Sequence, residues 1–93
     1  MELIHMLEMM NGSNVDITVK HEKYGIIAVI STEKFSCHMD EFNIVLSNDT
    51  KDCNFDLLVP MSKIIDIDTD DFEDLDSISF ELAGGLQYCI SKI

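Results

Sequence analysis

The sequence has no arginine. Its six basic residues are all lysine and face 18 acids, for a formal net charge of −12. Arginine grips phosphate with two parallel hydrogen bonds, and Lys and Arg together release counterions when a protein binds nucleic acid. Their scarcity argues against direct binding of nucleic acid and against docking on an acidic membrane surface. Long apolar runs are also missing: the longest covers residues 26–30, far short of the roughly twenty residues of a membrane span. The first ten residues, MELIHMLEMM, hold two acids and no lysine, so they lack the basic region of a signal peptide, and a cytoplasmic protein is expected. Cysteine is sparse and odd in number. Cys37, Cys53 and Cys89 lie 16 and 36 residues apart, which forms no disulfide framework and suits buried free thiols. There is no C-x-x-C, H-x-x-x-H, G-x-S-x-G or glycine-rich phosphate loop. Cys37 beside His38 offers neither a metal site nor a catalytic pair, since neighbours in a strand point to opposite faces. No catalytic residue, metal or cofactor is expected, and the protein is read as a non-enzyme.

What is present suits one domain over residues 1–93, with 46% apolar residues to build a core. Residues 2–10 read as a helix, because Leu3, Met6, Leu7 and Met10 repeat at the helical period. Asn11 and Gly12 stop it. Such a methionine stripe is read as core. The rest reads as strand. In NVDITVK, Val15, Ile17 and Val19 alternate with polar residues, and HEKYG makes a turn. YGIIAVIS (24–31) is apolar at both parities and is expected at the centre of a sheet. FSCHM (35–39) is apolar at odd positions and FNIVLS (42–47) at even ones, so a tight turn or bulge belongs at Asp40 and Glu41. SNDTKD (47–52) is a loop by composition. NFDLLV (54–59) and KIIDID (63–68) are strands flanking a corner at Pro60. The expected class is α+β, mostly antiparallel, with a short N-terminal helix, a small barrel or curved sheet, and a C-terminal β-hairpin.

That hairpin, SISFELAGGLQYCISKI, fixes its own register. A two-residue loop at Gly84 and Gly85 would set Phe80 against Cys89 and Leu82 against Gln87, opposing apolar and polar sides. A three-residue loop of Ala83, Gly84 and Gly85 pairs Leu82 with Leu86, Phe80 with Tyr88 and Ile78 with Ile90, all on one face. Gly85 then takes the left-handed position.

A short helix followed by about five closely spaced strands resembles the Sm-like and SH3-like small barrels. VDITVKHEKYGIIAVIS resembles their first two strands, and LVPMSKIIDI their last pair, over residues 1–68. The RNA-reading residues of the Sm family do not carry over. Ser31 or Thr32 stands where an aspartate is usual, FSCHM shows no matching asparagine, and Val59, Pro60 and Met61 replace the Arg-Gly element. The resemblance implies a fold, with the final hairpin as an addition, and an adaptor or self-assembling module as one function.

The strongest charge feature is DIDTDDFEDLD, residues 66–76, with seven carboxylates in eleven positions. It lies within residues 40–81, which carry a net −11. Counted as an EF-hand from Asp66, it has acids at positions 1, 3 and 5. Asp71 replaces the glycine at 6 and Ser77 the glutamate at 12, so the calcium loop is rejected. As a strand end, it sets Asp66 and Asp68 on one face about 6.6 Å apart, from a rise of about 3.3 Å per residue. Residues 69–75 are expected to form one helical turn pinned by Phe72 and Leu75. Asp40, Glu41, Asp49, Asp52 and Asp56 could extend the negative surface. The candidate partner-binding residues are Asp66, Asp68, Asp70, Asp71, Glu73, Asp74 and Asp76. Small size, high acidity and absent catalytic motifs resemble DNA-mimic proteins and anti-CRISPR-type phage inhibitors. That resemblance implies a basic protein surface as partner, such as a nucleic-acid-binding nuclease. The alternative is the barrel-type module, with homo-oligomers formed through strand edges.

Overall fold

In the computed structural model, which describes residues 3–50, 55–68 and 77–93, the N-terminal apolar stripe forms helix α1 (Leu3–Glu8). Leu3, Met6, Leu7 and Met10 are all buried, so Met6 and Met10 fill core rather than present a binding surface. The chain leaves the helix through Gly12 at φ 84°, a left-handed conformation that glycine adopts without steric cost. The Gly12 N–H donates to the Phe35 carbonyl at 2.7 Å, and the Phe35 N–H donates to the Ser13 carbonyl at 2.9 Å. The segment after the helix is thereby tied to the start of the second sheet.

The strands are β1 (Val15–His21), β2 (Gly25–Thr32), β3 (Phe35–Met39), β4 (Asn43–Asn48), β5 (Asp56–Pro60), β6 (Ile64–Asp68), β7 (Ser77–Leu82) and β8 (Leu86–Lys92). Two sheets result, one ordered β2-β1-β8-β7-β6 and the other β3-β4-β5, with every pairing antiparallel. Alternation explains the inward faces. Val15, Ile17 and Val19 of β1, Ile78, Phe80 and Leu82 of β7, and Tyr88 and Ile90 of β8 meet Phe35, Cys37, Ile44, Leu46 and Val59 of the other sheet in one core with α1. Phe80 and Tyr88 stack with ring centroids 5.2 Å apart.

The turns follow the local chemistry. The β7–β8 hairpin pairs Leu82 with Leu86, Phe80 with Tyr88 and Ile78 with Ile90, as the apolar pattern requires, with Gly84 at φ 98° and Gly85 at φ 88°. Between β3 and β4 the ladder pairs Met39 with Ile44, so odd positions oppose even ones and the change of phase at Asp40 is accounted for. Asp40 holds that turn. Its Oδ1 accepts the Phe42 and Asn43 N–H groups at 2.8 and 2.6 Å, and these hydrogen bonds, Phe42's first, hold its carboxyl below the usual range. Pro60 ends β5 and leads through a 3-10 turn (Met61–Lys63) into β6, carrying the chain from one sheet to the other.

Two expectations are corrected. Among the described residues the strands do not close into a barrel: β2, β6, β3 and β5 remain as edges of two separate ladders. Strand spacing gives connection lengths but does not say which edges meet, and the corners at Glu33–Lys34 and Pro60 switch sheets instead of continuing one. Residues 24–31 are not central either. β2 is an edge strand, with Ala28, Ile30 and Thr32 toward the core while Ile26, Ile27 and Val29 are exposed. The bulge at Ile27, where Val19 pairs with Ala28 but Lys20 with Ile26, breaks the alternation and makes the strand apolar at both parities. The expected helical turn over residues 69–75, with Phe72 and Leu75, lies outside the described residues, as does Cys53.

Candidate acidic interaction face

The outer face of the five-stranded sheet is built in cross-strand rows. Antiparallel pairing sets partners side by side on the same face, with Cβ atoms about 5 Å apart. Asp66 of β6 lies opposite Glu81 of β7, Glu81 opposite Gln87 of β8, and Gln87 opposite Lys20 of β1. The next row runs Asp68, Ser79, Cys89 and Thr18. Most of these side chains line an open hollow of about 490 Å³, floored by the strand segments that carry Ile67, Phe80 and Tyr88.

Each carboxylate has a distinct environment. Asp66 and Asp68 are exposed and Glu81 is half-buried. Like charges directly opposite repel, and the Asp66–Glu81 pair is eased by hydrogen bonding. Gln87 Nε2 donates to Glu81 Oε1 at 2.8 Å, and the Ile67 N–H donates to Asp66 Oδ1 at 3.0 Å. Lys20 is the one cation among the hollow's described lining residues. Ionised carboxylates are acceptors only. The face therefore suits donors that are themselves positively charged, guanidinium or ammonium groups, rather than anions.

Of the seven residues singled out from the sequence, Asp66 and Asp68 stand on this face. Asp70, Asp71, Glu73, Asp74 and Asp76 lie outside the described residues. Glu81, Gln87, Ser79 and Lys20 join Asp66 and Asp68 through cross-strand pairing, with no charge cluster in the sequence to single them out. Glu81 and Gln87 were within reach, because the hairpin register that pairs Leu82 with Leu86 also pairs them. The link to Asp66 was not legible, since the extra residue Ile65 shifts the β6–β7 register. Asp40 spends its carboxylate on its own turn, and Asp56 belongs to the other sheet.

Among the described residues no group of three or more His, Cys, Asp or Glu side chains is placed to hold a metal ion. Cys37 is buried while His38 is exposed, so the two diverge as alternation requires. Burial, with the charge of Glu8 as a smaller cause, pushes the Cys37 thiol up to about 11. Among the described residues no helix is long and apolar enough to cross a membrane. Comparison with family models, with curated proteins and with solved structures finds no match to this chain.

Proposed function

We propose that the acidic β6–β7 face docks on the basic, nucleic-acid-binding surface of another protein and blocks it, its carboxylates standing where phosphates would. The observation that carries this reading is the gathering of Asp66, Asp68 and Glu81 on one open outer face, at the point where the chain enters the acid-rich residues 69–76. Asp66 and Asp68 are spaced at about twice the strand rise of roughly 3.3 Å, of the order of successive phosphates along a strand. The net charge of −12 would steer encounter with a basic cleft and speed association. Catalysis is not required: inhibition is competitive, with carboxylates accepting the hydrogen bonds that lysine and arginine otherwise give to phosphate.

The test is competition with a fluorescent DNA duplex for a panel of nucleases with basic clefts. Inhibition should weaken steeply with salt, by about a thousandfold between 50 and 200 mM if six or so charge contacts form. Lysine at positions 70, 71, 73 and 74 together should abolish it while far-UV circular dichroism stays unchanged, and Asp66→Asn with Asp68→Asn should weaken it. Undiminished inhibition by the lysine variant would sink the proposal.

A further inference from the structure

A free strand edge offers unpaired N–H and C=O groups to any other strand, and proteins guard such edges with charge, proline, short length or a covering element. Three of the four edges among the described residues are guarded. β6 carries Asp66 and Asp68, which would face like charges in a second β6. β5 begins at exposed Asp56 and ends in Pro60, which lacks a ladder donor. β3 is five residues long, packs against α1, and is hydrogen-bonded at its start by Gly12 and Ser13. β2 differs. Residues 24–32 hold no charged side chain, and Tyr24, Ile26, Ile27 and Val29 are 73%, 63%, 57% and 59% exposed. Its one guard is the bulge at Ile27, which adds twist but neither adds charge nor removes a donor.

We propose that β2 pairs antiparallel with β2 of a second copy of this chain, about a twofold axis near Ala28, joining two five-stranded sheets into one of ten strands. Charge selects a second copy over an unrelated strand. Lys23 stands just before β2 and Glu33 just after it, both exposed, with Ala28 midway between them. Antiparallel pairing brings the Lys23 end of each copy to the Glu33 end of the other, twice over, with the extra residue Ile27 offsetting the two by one position. A strand with base at one end, acid at the other and only uncharged residues between is complementary to itself, as a twofold interface demands. Residues 22–34 hold two acids and two lysines, so two chains of net −12 meet where their mutual repulsion is least. The apolar side chains of both copies then cover one another, removing an exposed patch that would otherwise stay in water. β2 and β6 are opposite edges of the same sheet, so the dimer leaves both acidic faces free, and the inference does not rest on the function proposed for them.

Size-exclusion chromatography with light scattering, over a range of concentration and salt, tests this. A single-strand seam is a small interface, so the dimer should dissociate on dilution. It should tighten as salt screens the repulsion between the two net charges, the opposite trend to binding a basic partner. Val29→Lys, at an exposed position, should weaken the dimer at least tenfold. Glu33→Lys lowers the net negative charge. If overall repulsion alone governed association it would strengthen the dimer, whereas loss of the two Lys23–Glu33 contacts should weaken it several-fold. Adding Lys23→Glu should restore wild-type affinity at unchanged net charge. A protein monomeric at every concentration overturns the proposal. So does a dimer indifferent to Val29→Lys, or one strengthened by Glu33→Lys. A monomer whose β2 amides gain hydrogen-exchange protection only on adding an unrelated extended peptide would instead make this edge a docking strand for another protein.

Discussion

Cys37 shows how position in a strand decides the chemistry of one residue. Alternation turns it into the core beside Leu46 while its neighbour His38 faces out, and desolvation disfavours the thiolate. Its thiol stands at about 11 against the ordinary 9.0. Because the thiolate is the nucleophile, Cys37 in the folded protein should resist iodoacetamide at pH 8 and gain reactivity only as pH nears 11, as peptide mass spectrometry will show. The same shift has a stability consequence. The folded pKa lies above the unfolded one, so the contribution is intact below pH 9.0 and is lost as pH rises through about 11. Between those values the urea midpoint should fall less in Cys37→Ala than in the parent chain.

At the scale of elements, the β7–β8 hairpin is the firmest piece of local design. Gly84 and Gly85 both hold positive φ, but they differ in surroundings. A Cβ on Gly84 would meet nothing within 4 Å, whereas one on Gly85 would lie 2.8 Å from the Glu22 Cγ. That contact arises because the β1–β2 turn leans on this hairpin, with the Glu22 N–H donating to the Gly85 carbonyl at 2.9 Å. Gly84→Ala should cost about 1–2 kcal/mol from backbone strain alone, read from urea unfolding. Gly85→Ala should cost more. Glu22→Ala, made in that background, should recover the excess but not the strain, since the clash is with side-chain atoms that this change removes and not with backbone. Equal costs at the two glycines would show that the Glu22 contact carries no weight.

For the whole molecule, net charge is the term that salt can tune. The radius of gyration is 12.5 Å, while the screening length is about 30 Å at 0.01 M salt and about 3 Å at 1 M. In dilute buffer every carboxylate therefore feels the rest, and the compact state bears the repulsion of a net −12. Raising sodium chloride from about 10 mM to 1 M should raise the urea midpoint, and neutralising Asp66 and Asp68 as Asn should flatten that response. A midpoint that falls or stays level with salt would mean that the acids are locally compensated. The described strands form two open antiparallel sheets and no closed barrel.

The sequence by itself determined whatever depends on neighbours a few residues apart. The inward stripe of α1, the strand alternation, the phase change at Asp40 and the three-residue loop at Ala83, Gly84 and Gly85 all follow from side-chain period and turn chemistry. Half of the candidate face was legible in the same way: Asp66 and Asp68 share a side of β6 because they are two residues apart. Only the tertiary structure decided which strands became edges and what stood opposite Asp66. The face each β2 residue takes and the partner opposite Asp66 depend on single extra residues, Ile27 in β2 and Ile65 in β6, whose cost or gain is fixed by the strand they lie against. A one-residue shift changes every partner beyond it, and partners far apart in sequence leave no local trace. That is why an apolar run that read as interior became the uncovered edge of a sheet, while Glu81, unremarkable in sequence, came to stand among the acids.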